Sequence, residues 1–140
     1  MPPRYEFFEH TADIGVYIYG ATLDELFRNA ATALYDALGK FELADPVAER
    51  SVKLRADSLE DLLHDWLTEL LFDLEAKHAF YDMIDLTEVK PSGLAATLRG
   101  GTIDFVRSQT NEEIKAVTYH QLRVEKMADE TWRATVIFDV

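Results

Sequence analysis

The segment that opens at Ser58 constrains this chain more than any other. Leu59, Leu62, Leu63, Trp66, Leu67, Leu70, Leu71 and Leu74 recur at steps of three and four, so a helix over them carries one continuous apolar stripe. Ser58, with Asp61 three residues on, starts that helix, because a serine hydroxyl can accept from an unpaired first-turn amide. A stripe of this length suits a sheet face, and a groove for a partner helix is the alternative. A second helix is predicted over residues 23–38. Thr22-Leu23-Asp24-Glu25 has the form of a capping box, Leu23, Leu26, Phe27, Ala30, Leu34, Ala37 and Leu38 keep helical spacing, and Gly39 is placed to end it.

Around these helices the sequence is strand-like. Tyr5–Phe8 and Val16–Tyr19 are rich in aromatic and β-branched residues, and Val52 and Leu54 alternate within Ser51–Arg55. Residues 40–50, with Asp45-Pro46, read as a loop. From Tyr81 onward strands are expected over 81–90, 94–99, 114–120, 121–126 and 131–139. Turn-like joints at Pro91-Ser92-Gly93 and Met127-Ala128-Asp129-Glu130 argue for antiparallel hairpins. In the last strand Trp132, Ala134, Val136 and Phe138 share one face. Gly100 to Asn111 reads as an irregular, mobile loop. The predicted fold is α+β: mostly antiparallel sheet with the two long amphipathic helices packed on one face, in a single domain spanning 1–140.

With 14 Lys and Arg against 26 Asp and Glu, the net charge is −12, which disfavours direct nucleic-acid binding and points to cationic or basic protein partners. The same charge also serves simple solubility. The chain has no cysteine, so it has no disulfide, thiolate metal site or cysteine nucleophile. Met1-Pro2-Pro3-Arg4 leads directly into strand-like sequence, and a cytoplasmic location is expected. Phosphate-binding glycine loops, GxSxG, HExxH and calcium-loop patterns are missing from the sequence. His64 and His78 lie fourteen residues apart and do not form a helical ligand pair.

Three polar blocks remain. The first, Glu9-His10-Thr11-Ala12-Asp13-Ile14-Gly15, interrupts two apolar runs; Asp13 at such a junction either serves a site or caps a turn. The second runs from Glu112 to His120, where Lys115, Thr118, Tyr119 and His120 are functional or are the polar side of a half-exposed strand. There Thr118 and His120 would share one face, with Lys115, Val117 and Tyr119 on the other. The third is Phe138-Asp139-Val140. If Asp13 joins Asp139 and the Val140 carboxylate, the gathered charge needs a counter-ion, and a hard divalent cation takes such oxygens. A hydrated, frayed terminus is the alternative.

Taken together, His10-Thr11-Ala12-Asp13-Ile14-Gly15, Glu113-Ile114-Lys115-Ala116-Val117-Thr118-Tyr119-His120 and Asp139-Val140 resemble the archease family in content and order. That resemblance covers the whole chain. It implies a non-catalytic accessory protein of the GTP-dependent RtcB-type RNA ligase of tRNA splicing, promoting ligase guanylylation and repeated turnover. It also implies a bound divalent metal, calcium with magnesium or manganese as alternatives. The implied ligands are Asp13, Asp139 and Val140, the last through main-chain or terminal oxygens, with His10 and Thr11 as supports. Several archeases carry a His shortly before the EIKA segment where this chain has Arg107-Ser108-Gln109-Thr110, so a role resting on that His does not carry over. The competing classes are a stand-alone small metal-dependent hydrolase, for which His10 would be the one neighbouring base, and a metal-stabilised protein-binding module unrelated to RNA.

Overall fold

The computed structural model describes residues 3–140, so Met1 and Pro2 of the expected amino-terminal lead lie outside the described residues. Strands β1 (Tyr5–His10) and β2 (Asp13–Gly20) form a hairpin, followed by helix α1 (Leu23–Leu38). The short β3 (Gly39–Lys40) and the long β4 (Leu43–Arg55) lead to helix α2 (Leu59–Lys77). The remainder is strand: β5 (Ala79–Lys90), β6 (Gly93–Ile103), β7 (Gln109–Thr110), β8 (Ala116–Val117), β9 (Arg123–Lys126) and β10 (Trp132–Asp139). All strand pairs are antiparallel. They build one sheet in the order β1-β2-β10-β8 with β9 also on β10, a second in the order β4-β6-β5, and a small β3-β7 pair. The α+β architecture expected from the hairpin joints is therefore the one observed.

Both helices begin where the sequence placed them. The Thr22 hydroxyl accepts from the Glu25 amide at 3.2 Å and the Ser58 hydroxyl from the Asp61 amide at 3.1 Å, each satisfying one orphan donor of a first turn. Leu62, Leu63, Trp66, Leu67 and Leu70 of the stripe are fully buried, and the Trp66 indole donates to the Phe27 carbonyl at 3.0 Å. α1 buries ten of its sixteen residues: all of the predicted stripe except the half-buried Leu23, with Asn29, Ala31, Ala33 and Tyr35 in addition. It does so because it touches β2 on one side and β5 on the other. α2 likewise contacts β8 and β9 of the first sheet and β4, β5 and β6 of the second. The core is thus a helix layer shared by two sheets, with Val16, Ile18, Val136 and Phe138 contributed by one and Val52, Ala96 and Leu98 by the other.

Three expectations about irregular segments are corrected. Residues 40–50 are not a loop: β4 starts at Leu43 and pairs with β6 almost throughout. Its register steps between Ala44 and Val47, as at a β-bulge; the side chains of Asp45 and Pro46 lie outside the described residues. Gly100 to Asn111 is not one irregular loop, since β6 runs on to Ile103 and β7 follows at Gln109. The turn between them is organised by Asp104, whose carboxylate accepts from the Val106 and Arg107 amides and from the Arg107 guanidinium at 2.9 Å. These bonds hold the Asp104 carboxyl below the usual carboxylate range. Finally, 114–120 and 121–126 are not two full strands. The ladders there are only Ala116–Val117 and Arg123–Lys126, because Thr118 turns its hydroxyl back onto the Ile137 carbonyl at 2.9 Å and the chain bends at Gln121 (φ 54°).

One buried charge ties α2 to the second sheet. Asp73, 1 % exposed, accepts from the Arg50 guanidinium of β4 and from the Tyr81 hydroxyl of β5, both at 2.7 Å, and Arg50 also reaches Glu69 at 2.8 Å. Burial, then the bond to Asp73, pushes the Tyr81 phenol up to about 12, and burial raises Tyr35 as well. Because the folded state favours the protonated Tyr81, its contribution to stability is complete below pH 10 and is lost as pH rises from 10 toward 12. Absorbance titration of the tyrosinates at constant fold should therefore show Tyr81 and Tyr35 ionising after the exposed Tyr119. Removing the central acceptor strands a guanidinium and a phenol at the helix–sheet seam. Asp73→Ala should cost about 3–5 kcal/mol in urea unfolding.

Candidate metal centre

The two ends of the chain meet because β2 and β10 are neighbours. Their register pairs Val16 with Val136, Ile14 with Phe138 and Asp13 with Asp139. Directly opposed residues of an antiparallel pair point to the same face and lie about 5 Å apart. Val16, Ile14 and Phe138 take the inner face, so the alternation sends Asp13 and Asp139 to the other. β1 brings His10 opposite Asp13 across the Thr11-Ala12 turn, on that same outer face. Ala12 occupies the left-handed region (φ 60°), a conformation that an alanine adopts at a cost of about 1 kcal/mol.

Three of the sequence-predicted residues are therefore brought together: Asp13, Asp139 and, one step beyond it, Val140. Among the described residues neither carboxylate is ion-paired to a lysine or arginine; the one ionisable partner near them is His10, its Nδ1 3.6 Å from Asp13 Oδ2. Like charges directly opposed in a sheet are destabilising, and a cation placed between these two carboxylates would relieve that repulsion. No group of three His, Asp or Glu side chains close enough to hold a metal occurs among the described residues. A metal held by Asp13 and Asp139 would therefore need a third oxygen from the backbone, and the main chain of Val140 is the adjacent source. This all-oxygen donor set suits hard divalent cations rather than zinc or copper.

The supports follow from packing. Lys115 donates its amide to the Asp139 carbonyl at 2.7 Å, and β8 pairs Ala116 with Asp139, fixing the strand end that carries the carboxylate. Gly15 has no side chain because the Phe8 ring of the partner strand lies over it and stacks on Tyr17, centroids 4.5 Å apart. The His10 ring packs edge-on against His120 at 5.3 Å, and its Nδ1 is buried without a hydrogen bond. Tyr119 stacks on His64 of α2 at 4.0 Å while His120 packs against His10, so these two neighbours face opposite ways although the ladder itself ends at Val117. Sequence reasoning missed both of these contacts, since each joins residues more than fifty positions apart. Arg107, in the stretch before Glu113-Ile114-Lys115-Ala116, binds the Leu43 carbonyl at 2.8 Å as well as Asp104, so it fastens a turn. Gly15→Ala would push a methyl into the Phe8 ring and should cost about 1–3 kcal/mol, with loss of the Phe8–Tyr17 stack visible in near-ultraviolet circular dichroism.

Comparison with known proteins places the chain in a family. Residues 5–140 match the model of the Archease protein family (MTH1598/TM1083). The chain is 38% identical over 141 residues to protein archease of Thermococcus gammatolerans, covering 98% of this chain and 99% of that one. It is likewise 38% identical to protein archease of Methanosarcina mazei, over 98% and 96% of the two chains. Its fold resembles the solution structure of Methanobacterium thermoautotrophicum protein 1598, with a TM-score of 0.73 at 31% identity over 98% and 99% of the two chains. It also resembles the crystal structure of an archease, described as a possible chaperone, from Thermotoga maritima, with a TM-score of 0.67 at 27% identity over 95% and 94%. On a match spanning nearly its whole length, the chain belongs to the archease family.

Proposed function

We propose that this protein is a non-catalytic activator of the RtcB-type RNA ligase, promoting its guanylylation and repeated turnover in tRNA splicing through a carboxylate-bound divalent metal. The observation that carries the reading is the register that sets Asp13 opposite Asp139 with Val140 beside them, in a chain of the archease family. Asp13, Asp139 and a main-chain oxygen of Val140 would hold the cation, calcium with magnesium or manganese as alternatives. Bound there, the cation supplies the positive charge that the opposed carboxylates lack. His10 orients Asp13 from the neighbouring strand, a support of the kind that fixes a ligand's rotamer. The net charge of −12 keeps the protein off the RNA and directs it to the ligase. Location in the cytoplasm, where such a ligase would meet its substrates, completes the proposal; no helix of the described residues is long and apolar enough to cross a membrane.

The test is single-turnover guanylylation of the cognate ligase with and without the protein. Asp13→Asn and Asp139→Asn should abolish stimulation, and both should lose the rise in melting temperature that calcium gives the parent, where saturation at a hundred times Kd adds about 2.7 kcal/mol. Unaltered stimulation by either variant would exclude the metal-dependent mechanism. Stimulation lost with calcium stabilisation intact would separate the carboxylates' role from metal binding.

A further inference from the structure

A second feature adjoins the Asp13–Asp139 pair. Between the tip of the β1–β2 hairpin and the last turn of α1 lies a groove of about 410 Å³ floored by Phe7 and Ile14 and edged by Glu9, Asp36 and Glu112 as well as Asp13. Phe7 is 40 % exposed, and no lysine or arginine lines the groove. Among the described residues neither Glu9 nor Glu112 is in an ion pair. The end of α1 adds to the negative potential, since its last turn holds no basic residue to offset the carboxyl-terminal end of the helix dipole. The wall is firm: Asn111 and Glu112 donate their amides to the Leu38 and Ala37 carbonyls at 2.9 and 3.2 Å. Beyond that wall a larger hollow of about 770 Å³ shares Asn111 and Glu112 and adds Glu75, Glu113 and the half-exposed Phe105, with Lys115 its one lysine or arginine.

We propose that this double groove is the docking surface for an extended segment of a partner protein in which arginine or lysine side chains accompany apolar ones. Charge complementarity selects that occupant. Nucleic acid and anionic lipid headgroups are repelled by the carboxylate rim, whereas an apolar floor with an acidic edge matches a basic, partly apolar peptide. Asp13 is part of the groove lining, so a segment seated in it would reach the strand end that carries that residue. The inference deepens the reading above, in that the partner supplying the segment is the ligase.

Two measurements separate the two ideas. The first is the affinity of the purified cognate ligase for the parent protein and for Glu112→Lys, Glu9→Lys and Phe7→Ala, with Glu88→Lys on the distant second sheet as a charge control. The proposal expects each groove variant to bind the ligase at least tenfold more weakly, the control to change less than twofold, and calcium stabilisation to persist in all four. Parent-like binding by the groove variants, or equal weakening by the control, would overturn it. The second measurement is an amide-resonance titration of the 16.0 kDa protein with a ten-residue peptide of alternating arginine and leucine. Shifts confined to residues 7–14, 36–38 and 105–115 support the groove, and shifts spread over the acidic surface reject it. If the parent does not bind the ligase at all, the activator reading fails and the peptide titration alone decides the groove.

Discussion

The pairing of β2 with β10 is the contact on which the rest of this structure depends. It joins residues more than a hundred positions apart, lays Val16, Ile18, Val136 and Phe138 against the helices, and in the same stroke opposes Asp13 to Asp139. Core and site share one register. A slip of a single residue would turn Val136 outward and bring Asp139 toward the apolar layer, so the burial that stabilises the sheet also enforces the geometry of the carboxylate pair. The repulsion between the two carboxylates is tolerated because the strands are held by everything inward of them.

The helix layer is fixed to the second sheet by different means. The apolar stripe of α2 would allow sliding along the strands, since hydrophobic contact is non-directional. Asp73 removes that freedom by accepting from Arg50 and Tyr81 on separate strands. A buried carboxylate is costly unless it is bonded; here Oδ2 takes partners from both β4 and β5, while Oδ1 has only the Lys77 ammonium at 3.7 Å, and the two bonds pin the helix to that sheet. The first sheet is fastened to α2 in a comparable way, by the Glu60 carboxylate accepting the Val124 amide at 2.8 Å and by the Tyr119–His64 stack.

Elements governed by local chemistry were legible residue by residue. Thr22, Ser58 and the leucine spacing fixed both helices because caps and stripes act within a turn or two. Segments governed by distant partners were not. Gly100-Gly101 carries loop-like composition, yet β6 runs through it, since a long ladder outweighs the local preference. Tyr119 and His120 fit a strand pattern, yet Thr118 binds the Ile137 carbonyl instead and ends the ladder.

For the candidate site, the sequence by itself determined the available groups: paired acidic blocks, no thiolates, and a net charge of −12. It also carried the family motifs. The tertiary structure alone decided that Asp13 and Asp139 are directly opposed, that no lysine or arginine answers them among the described residues, and that Glu9, Asp36 and Glu112 line one groove beside them. Composition and short-range pattern report which groups a chain owns and what their neighbours do within a few residues. Proximity between positions 13, 36, 112 and 139 is set by strand order and register, which exist only once the whole core has closed.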